Sequence, residues 1–123
     1  MITEDYVSFG TAKLMKEKEF NADVNCTHVY VYGRVVSKDY FRDINELEEY
    51  IQAPTLQMAM KWLREVHNIS IEPLVDFGNG NEYWWAADVA YIKKNGLIDE
   101  LCGYNSYEEA CEAAIKYCLE NLI

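Results

Sequence analysis

Cys26 and His28 stand two residues apart within residues 26–36, a stretch rich in β-branched and aromatic side chains. On a strand, residues two apart share a face, so the thiol and imidazole could form a nucleophile–base pair or begin a metal site. Two ligands do not complete one. The remaining histidine, His67, falls in the last turn of a helical stretch, where its charged form would suit the C-terminal dipole. No metal and no cofactor are expected. Asp76-Phe77-Gly78-Asn79-Gly80-Asn81-Glu82 interleaves oxygen-bearing residues with glycines, yet it puts Gly78 and Gly80 where a calcium loop needs Asp or Asn. Its Gly-x-Gly precedes a strand rather than a helix, so it lacks the helix N-terminus that cradles phosphate. It reads as a hairpin turn. The acid pairs Glu48-Glu49, Asp99-Glu100 and Glu108-Glu109 could in principle divide acid and base roles. Neighbouring helical residues diverge by about 100° around the axis, so such pairs read as solvated faces. The short signatures of serine hydrolases, nucleotide-phosphate loops and zinc peptidases are missing, and no catalytic residue is assigned.

The chemistry-bearing excess is aromatic: ten tyrosines and three tryptophans. Tyr30 and Tyr32 share one strand face, and Trp84 adjoins Trp85, whose ring must point the opposite way. If helices cover one sheet face only, the other presents Tyr30, Tyr32 and Trp84, residue types that anchor protein interfaces. If helices cover both, these rings are core.

Positioning these residues requires the following elements. Residues 8–20 open with Ser8 as a cap and continue Phe9, Ala12, Leu14, Met15, an amphipathic helix. Residues 26–36 form a hairpin, with Gly33-Arg34 suited to a type II′ turn. Asp43 to Glu46 has capping-box spacing, and Ile44, Leu47 and Ile51 suggest a short helix or helical turn before Pro54. Pro54 and Thr55 are start signals for a helix whose buried stripe Leu56, Ala59, Met60, Leu63 and Val66 trace and which ends near Asn68. Ile69, Ile71, Val75 and Phe77 then alternate with Ser70, Glu72, Leu74 and Asp76, and Pro73 places this strand at an edge or bulge. Residues 78–81 reverse the chain into a strand over 83–92. An odd loop puts Tyr83, Trp85, Val89 and Tyr91 on the face of Ile71 and leaves Trp84 and Asp88 opposite. That register is preferred, because a central Asp88 would otherwise need a buried partner. An irregular stretch holding Gly96 and Gly103 leads to a second capping box, Ser106 to Glu109, and a C-terminal helix. The expected fold is α+β: an antiparallel sheet of two hairpins packed with three main helices, in the order α-ββ-α-ββ-α.

The chain's 123 residues suit a single domain spanning 1–123. Half the residues are hydrophobic and 26% are charged, which excludes disorder over most of the length. Eleven Lys and Arg against 21 Asp and Glu leave a net charge of −10, so nucleic acids and anionic membranes are disfavoured partners. Residues 97–123 alone hold six acids and one lysine, an acidic face that could meet a basic partner or mimic a nucleic-acid backbone. The plainer reading is a solubilising surface. The most apolar stretch, residues 83–92, contains Asp88 and is about half the ~20 residues a membrane span needs. Cys26, Cys102, Cys111 and Cys118 form no C-x-x-C pair and read as buried thiols in a reducing cytoplasm, and the N-terminus shows no secretory pattern.

At residues 53–67 (APTLQMAMKWLREVH) and 107–122 (YEEACEAAIKYCLENL) the chain resembles a family of small uncharacterised proteins found in bacteriophage and mobile-element gene neighbourhoods of gut bacteria. Val7-Ser8-Phe9 with Thr11-Ala12-Lys13-Leu14 is similar to that family's opening, while residues 29–49 depart from its pattern. The resemblance covers about a third of the chain and implies a bacterial or phage-encoded cytoplasmic accessory protein. The leading expectation is a noncatalytic module acting through protein-protein interaction or self-association, with Tyr30, Tyr32 and Trp84 as interaction candidates. An enzyme with an unrecognised Cys, His or carboxylate site is the runner-up, and an acidic DNA-mimic inhibitor comes third.

Overall fold

Ser8 caps the first helix: its hydroxyl accepts from the Thr11 amide at 3.2 Å, and α1 runs Phe9–Glu17. The computed structural model describes residues 2–20, 26–47, 49–93 and 96–123. The first hairpin is present as β1 (His28–Val31) and β2 (Arg34–Ser37), but its turn lies one residue earlier than expected. Val31 pairs with Arg34, leaving Tyr32 and Gly33 between them at φ 51° and 74°. Two consecutive left-handed residues make a type I′ turn rather than type II′, and glycine tolerates its half of it without strain. Among the described residues of the stretch around Ile44, the expected helical turn forms as a 3-10 turn at Ile44–Glu46. Ile51–Gln52 instead pairs with β1 as a short strand, β3, with Ile51 opposite Tyr30.

Thr55 caps α2 (Leu56–His67), its hydroxyl accepting from the Met58 amide at 3.1 Å, and left-handed Asn68 ends the helix. Leu56, Ala59, Met60 and Leu63 are buried as their spacing predicts. Val66 is not. Trp62 is buried in addition to that stripe, set edge-on to the rings of Phe20 and His67.

The second hairpin, β4 (Ile69–Phe77) and β5 (Tyr83–Tyr91), adopts the preferred register, with Ile71 opposite Val89 and Val75 opposite Trp85. Its connection of residues 78–82 is odd in length, so Trp84 and Asp88 point away from the core. Pro73 sits on an edge strand, where its missing N–H costs no ladder bond. The stretch between Gly96 and Gly103, read above as irregular, is a third strand, β6 (Gly96–Tyr104). Register shifts against Trp85/Ala86 and Val89/Ala90 break its alternation, which left no period of two in its sequence. Ser106 then caps α3 (Tyr107–Asn121), accepting from the Glu109 amide at 3.1 Å, while the Glu109 carboxylate accepts from the Asn105 amide at 3.0 Å.

The class is α+β, and the helix-hairpin order holds with β3 and β6 added. The hairpins do not share a sheet, however. They belong to two three-stranded antiparallel sheets, β2-β1-β3 and β4-β5-β6. Helix α3 packs on all three strands of the second, and α2 packs on β4 and α3. The core that joins these layers includes Val7, Met15, Leu63, Ile69, Val89 and Ile115.

Candidate functional site

The core takes one face of the β4-β5-β6 sheet, the face of Ile69, Ala87 and Val89. Along β5 the other face carries Trp84, Ala86, Asp88 and Ala90, with Glu72 and Leu74 beside them on β4 and Leu97, Glu100 and Cys102 on β6. Register sets Glu72 directly across from Asp88, and Asp88 directly across from Glu100. Carboxylates at directly opposite positions stand about 5 Å apart at Cβ, close enough to repel. One Asp88 oxygen, Oδ1, is shielded from solvent yet has no hydrogen-bond partner. Next to this row a depression of about 440 Å³ opens among Ser70, Glu72, Asp88, Ala90, Ile92 and Leu97. Ile92 and Leu97 are 48% and 63% exposed, so an apolar wall borders the carboxylates.

Trp84 stands half-buried further along the same face. Its place depends on Gly78, where a Cβ would come within 3.0 Å of Trp84 Cζ3 and 2.9 Å of Glu82 Oε2. A side chain at that position would crowd the indole, which must give by a few tenths of an ångström, and push the Glu82 carboxylate aside.

The three interaction candidates do not form one surface. Tyr30 is buried rather than exposed, its hydroxyl donating to the Val7 carbonyl oxygen and its ring edge-on to Phe9 at 5.3 Å. The chain entering α1 lies against it, a long-range contact with no local signal. Tyr32 projects fully into solvent from the type I′ turn. With Phe9, Glu46 and Tyr50, these two tyrosines line a groove of about 830 Å³ on the first sheet. Trp84 belongs to the second sheet.

Cys26 and His28 go to different partners. The Cys26 thiol donates to Met58 Sδ at 3.5 Å, and burial pushes its pKa up despite the Lys38 ammonium. His28 Nδ1 lies 3.0 Å from the Tyr6 hydroxyl and 2.7 Å from that of Thr27. The thiol stays protonated and the imidazole is engaged elsewhere, so a thiolate–imidazolium pair does not form. Among the described residues no cluster of three or more His, Cys, Asp or Glu is arranged to hold a metal ion. His67 also departs from expectation. It packs edge-on against Trp62 at 4.7 Å with Nε2 buried and unpartnered, and burial lowers its pKa, so the neutral ring is favoured over the cation.

Cys111 and Cys118 are buried on α3, and desolvation raises their thiols to about 11 and about 12. Cys102 is exposed on the open sheet face, contrary to the reading of all four cysteines as buried. The acids of residues 97–123 are divided among several tasks and do not form one surface. Glu112 turns inward, Oε1 accepting from the Thr11 hydroxyl at 2.6 Å and the Ser8 amide at 3.1 Å. Glu109 completes the α3 cap, the Asp99 carboxylate accepts from the Glu100 amide at 2.8 Å, and burial followed by the charge of Asp99 pushes the Tyr117 hydroxyl pKa up. What sequence reasoning missed is the row of Glu72, Asp88 and Glu100. Its third member lies on an unrecognised strand, and the preference for an outward Asp88 was the single signal available. No protein-family model, curated protein or solved structure matches the chain.

Proposed function

We propose that the protein is a noncatalytic accessory module, phage- or mobile-element-encoded and cytoplasmic, that docks a different protein on the open face of the β4-β5-β6 sheet. The observation that carries this is the half-buried indole of Trp84 on a sheet face to which the core does not extend. An aromatic anchor beside small apolar residues and a polar border is the composition of an interface centre with its rim. The phage association rests on the resemblance at residues 53–67 and 107–122.

A second copy is the poorer occupant. Face-to-face pairing would set Glu72, Asp88 and Glu100 against their own equivalents, and like charges so placed repel. Edge pairing is hindered as well. Pro73 removes a donor from β4, while β6 carries two register irregularities and Asp99-Glu100. No helix among the described residues is long and apolar enough to cross a membrane.

The test uses the full chain as bait in host lysate, comparing wild type with Trp84→Ala and Tyr32→Ala. A protein retained by wild type and Tyr32→Ala but lost with Trp84→Ala, while the melting temperature of that variant stays near wild type, supports the assignment. Retention by all three baits, or loss with Tyr32→Ala alone, moves the interface elsewhere.

A further inference from the structure

The three nine-residue strands β4, β5 and β6 carry Glu72, Asp76, Asp88, Asp99 and Glu100, and no lysine, arginine or histidine. Three of these acids stand in one row across the open face, uncompensated by any cation on the strands. Like charges directly opposite one another destabilise a sheet, so the row has a cost that nothing on the strands themselves offsets. Beside it lies the depression of about 440 Å³, with Ala90 as a small residue between carboxylates and the exposed Leu97 and Ile92. Asp88 Oδ1 is an acceptor with no donor. An extended stem ending in a positive charge meets each demand: methylenes against Leu97 and Ile92, and N–H donors toward Glu72 and Asp88. Trp84 stands four residues from Asp88 on the same strand, about 14 Å at ~3.4 Å per residue, a span that a short extended segment covers. Its indole offers a second cation a π face.

We infer that the occupant of the open face is a cationic segment of a partner protein, with one lysine or arginine side chain seated between Glu72 and Asp88. This rests on the docking reading above and names the chemistry of its partner. Charge complementarity of this kind speeds encounter and rejects acidic competitors.

Three synthetic nonapeptides of equal length test it against the uniformly ¹⁵N-labelled full chain. One alternates lysine or arginine with valine, one replaces the cations by serine, and one replaces them by glutamate. The basic peptide is expected to shift the amides of Ser70, Glu72, Asp88 and Ala90, with affinity that falls as salt is raised. Glu72→Gln and Asp88→Asn, both near-isosteric, are each expected to weaken it roughly threefold, the effect of one exposed ion pair. If the serine peptide shifts the same amides with equal affinity, the face docks proteins but does not select cations, and this inference falls while the docking reading stands. If no peptide shifts that face, or the basic peptide perturbs only Glu108, Glu109 and Glu120 on α3, both fall. Spermine, a free polycation, is the last arm. Reproduction of the full pattern by spermine at the same concentration would replace the protein segment with a small-molecule cation.

Discussion

Asp88 shows how a single parity decision sets both the stability of a sheet and the charge of its open face. With Val75 opposite Trp85, the carboxylate leaves the core and meets Glu72 and Glu100 across the open face. Relieving this repulsion should stabilise the chain. Glu72→Gln is expected to raise the unfolding free energy by roughly 0.5 kcal/mol at low ionic strength, with the gain shrinking in high salt. Calorimetric melting at two salt concentrations checks this, and a lower melting temperature would mean that Glu72 has a stabilising partner. His67 provides a pH-dependent counterpart. Burial lowers its folded pKa below the ordinary 6.5, so between those two values the unfolded chain binds more protons than the folded one. Its contribution is therefore complete above about pH 6.5 and is lost as pH falls through that window toward the lowered value. In urea titrations His67→Gln should show a shallower loss of stability than wild type between pH 7 and 5. Parallel curves would sink the assignment.

At the scale of elements, capping chemistry and long-range satisfaction act together. Ser8, Thr55 and Ser106 were legible as helix starts because a cap is a local bond, closed within three residues. The anchoring of α1 to α3 was not legible. It depends on Glu112, a residue on the middle of one helix, accepting from the Ser8 amide and the Thr11 hydroxyl about a hundred positions earlier. Thr11→Val keeps the shape but removes a charge-assisted donor from a part-buried carboxylate oxygen, and it is expected to cost roughly 1–3 kcal/mol. A chemical denaturation midpoint unchanged by Thr11→Val would show that water takes over the bond. The two missed strands have the same origin. β3 is two residues long and β6 is interrupted by register shifts, so neither carries the repeated alternation from which strands are read.

For the whole molecule, the decisive fact is that the hairpins build two sheets. One sheet would have put Tyr30, Tyr32 and Trp84 on a shared surface, whereas two sheets place Tyr30 beneath the chain entering α1 and leave Trp84 on the same open face as a row of acids. An acidic face whose strands carry no cation, together with protected edges, predicts a monomer. Sedimentation velocity should give one concentration-independent species near 14.3 kDa, and a dimer that survives high dilution would contradict the interface assigned to the open face. The amino-acid order by itself determined the α+β class, the three helices with their caps, both hairpins and the outward placement of Asp88. Each of these follows from periodicities and bonds that close within a few residues, or from the penalty of burying a charge. Only the tertiary structure decided the number of sheets, the face left open and the alignment of Glu72, Asp88 and Glu100. Strand pairing joins residues far apart in sequence, and whether one hairpin pairs with another is settled by competition among all the surfaces each could cover.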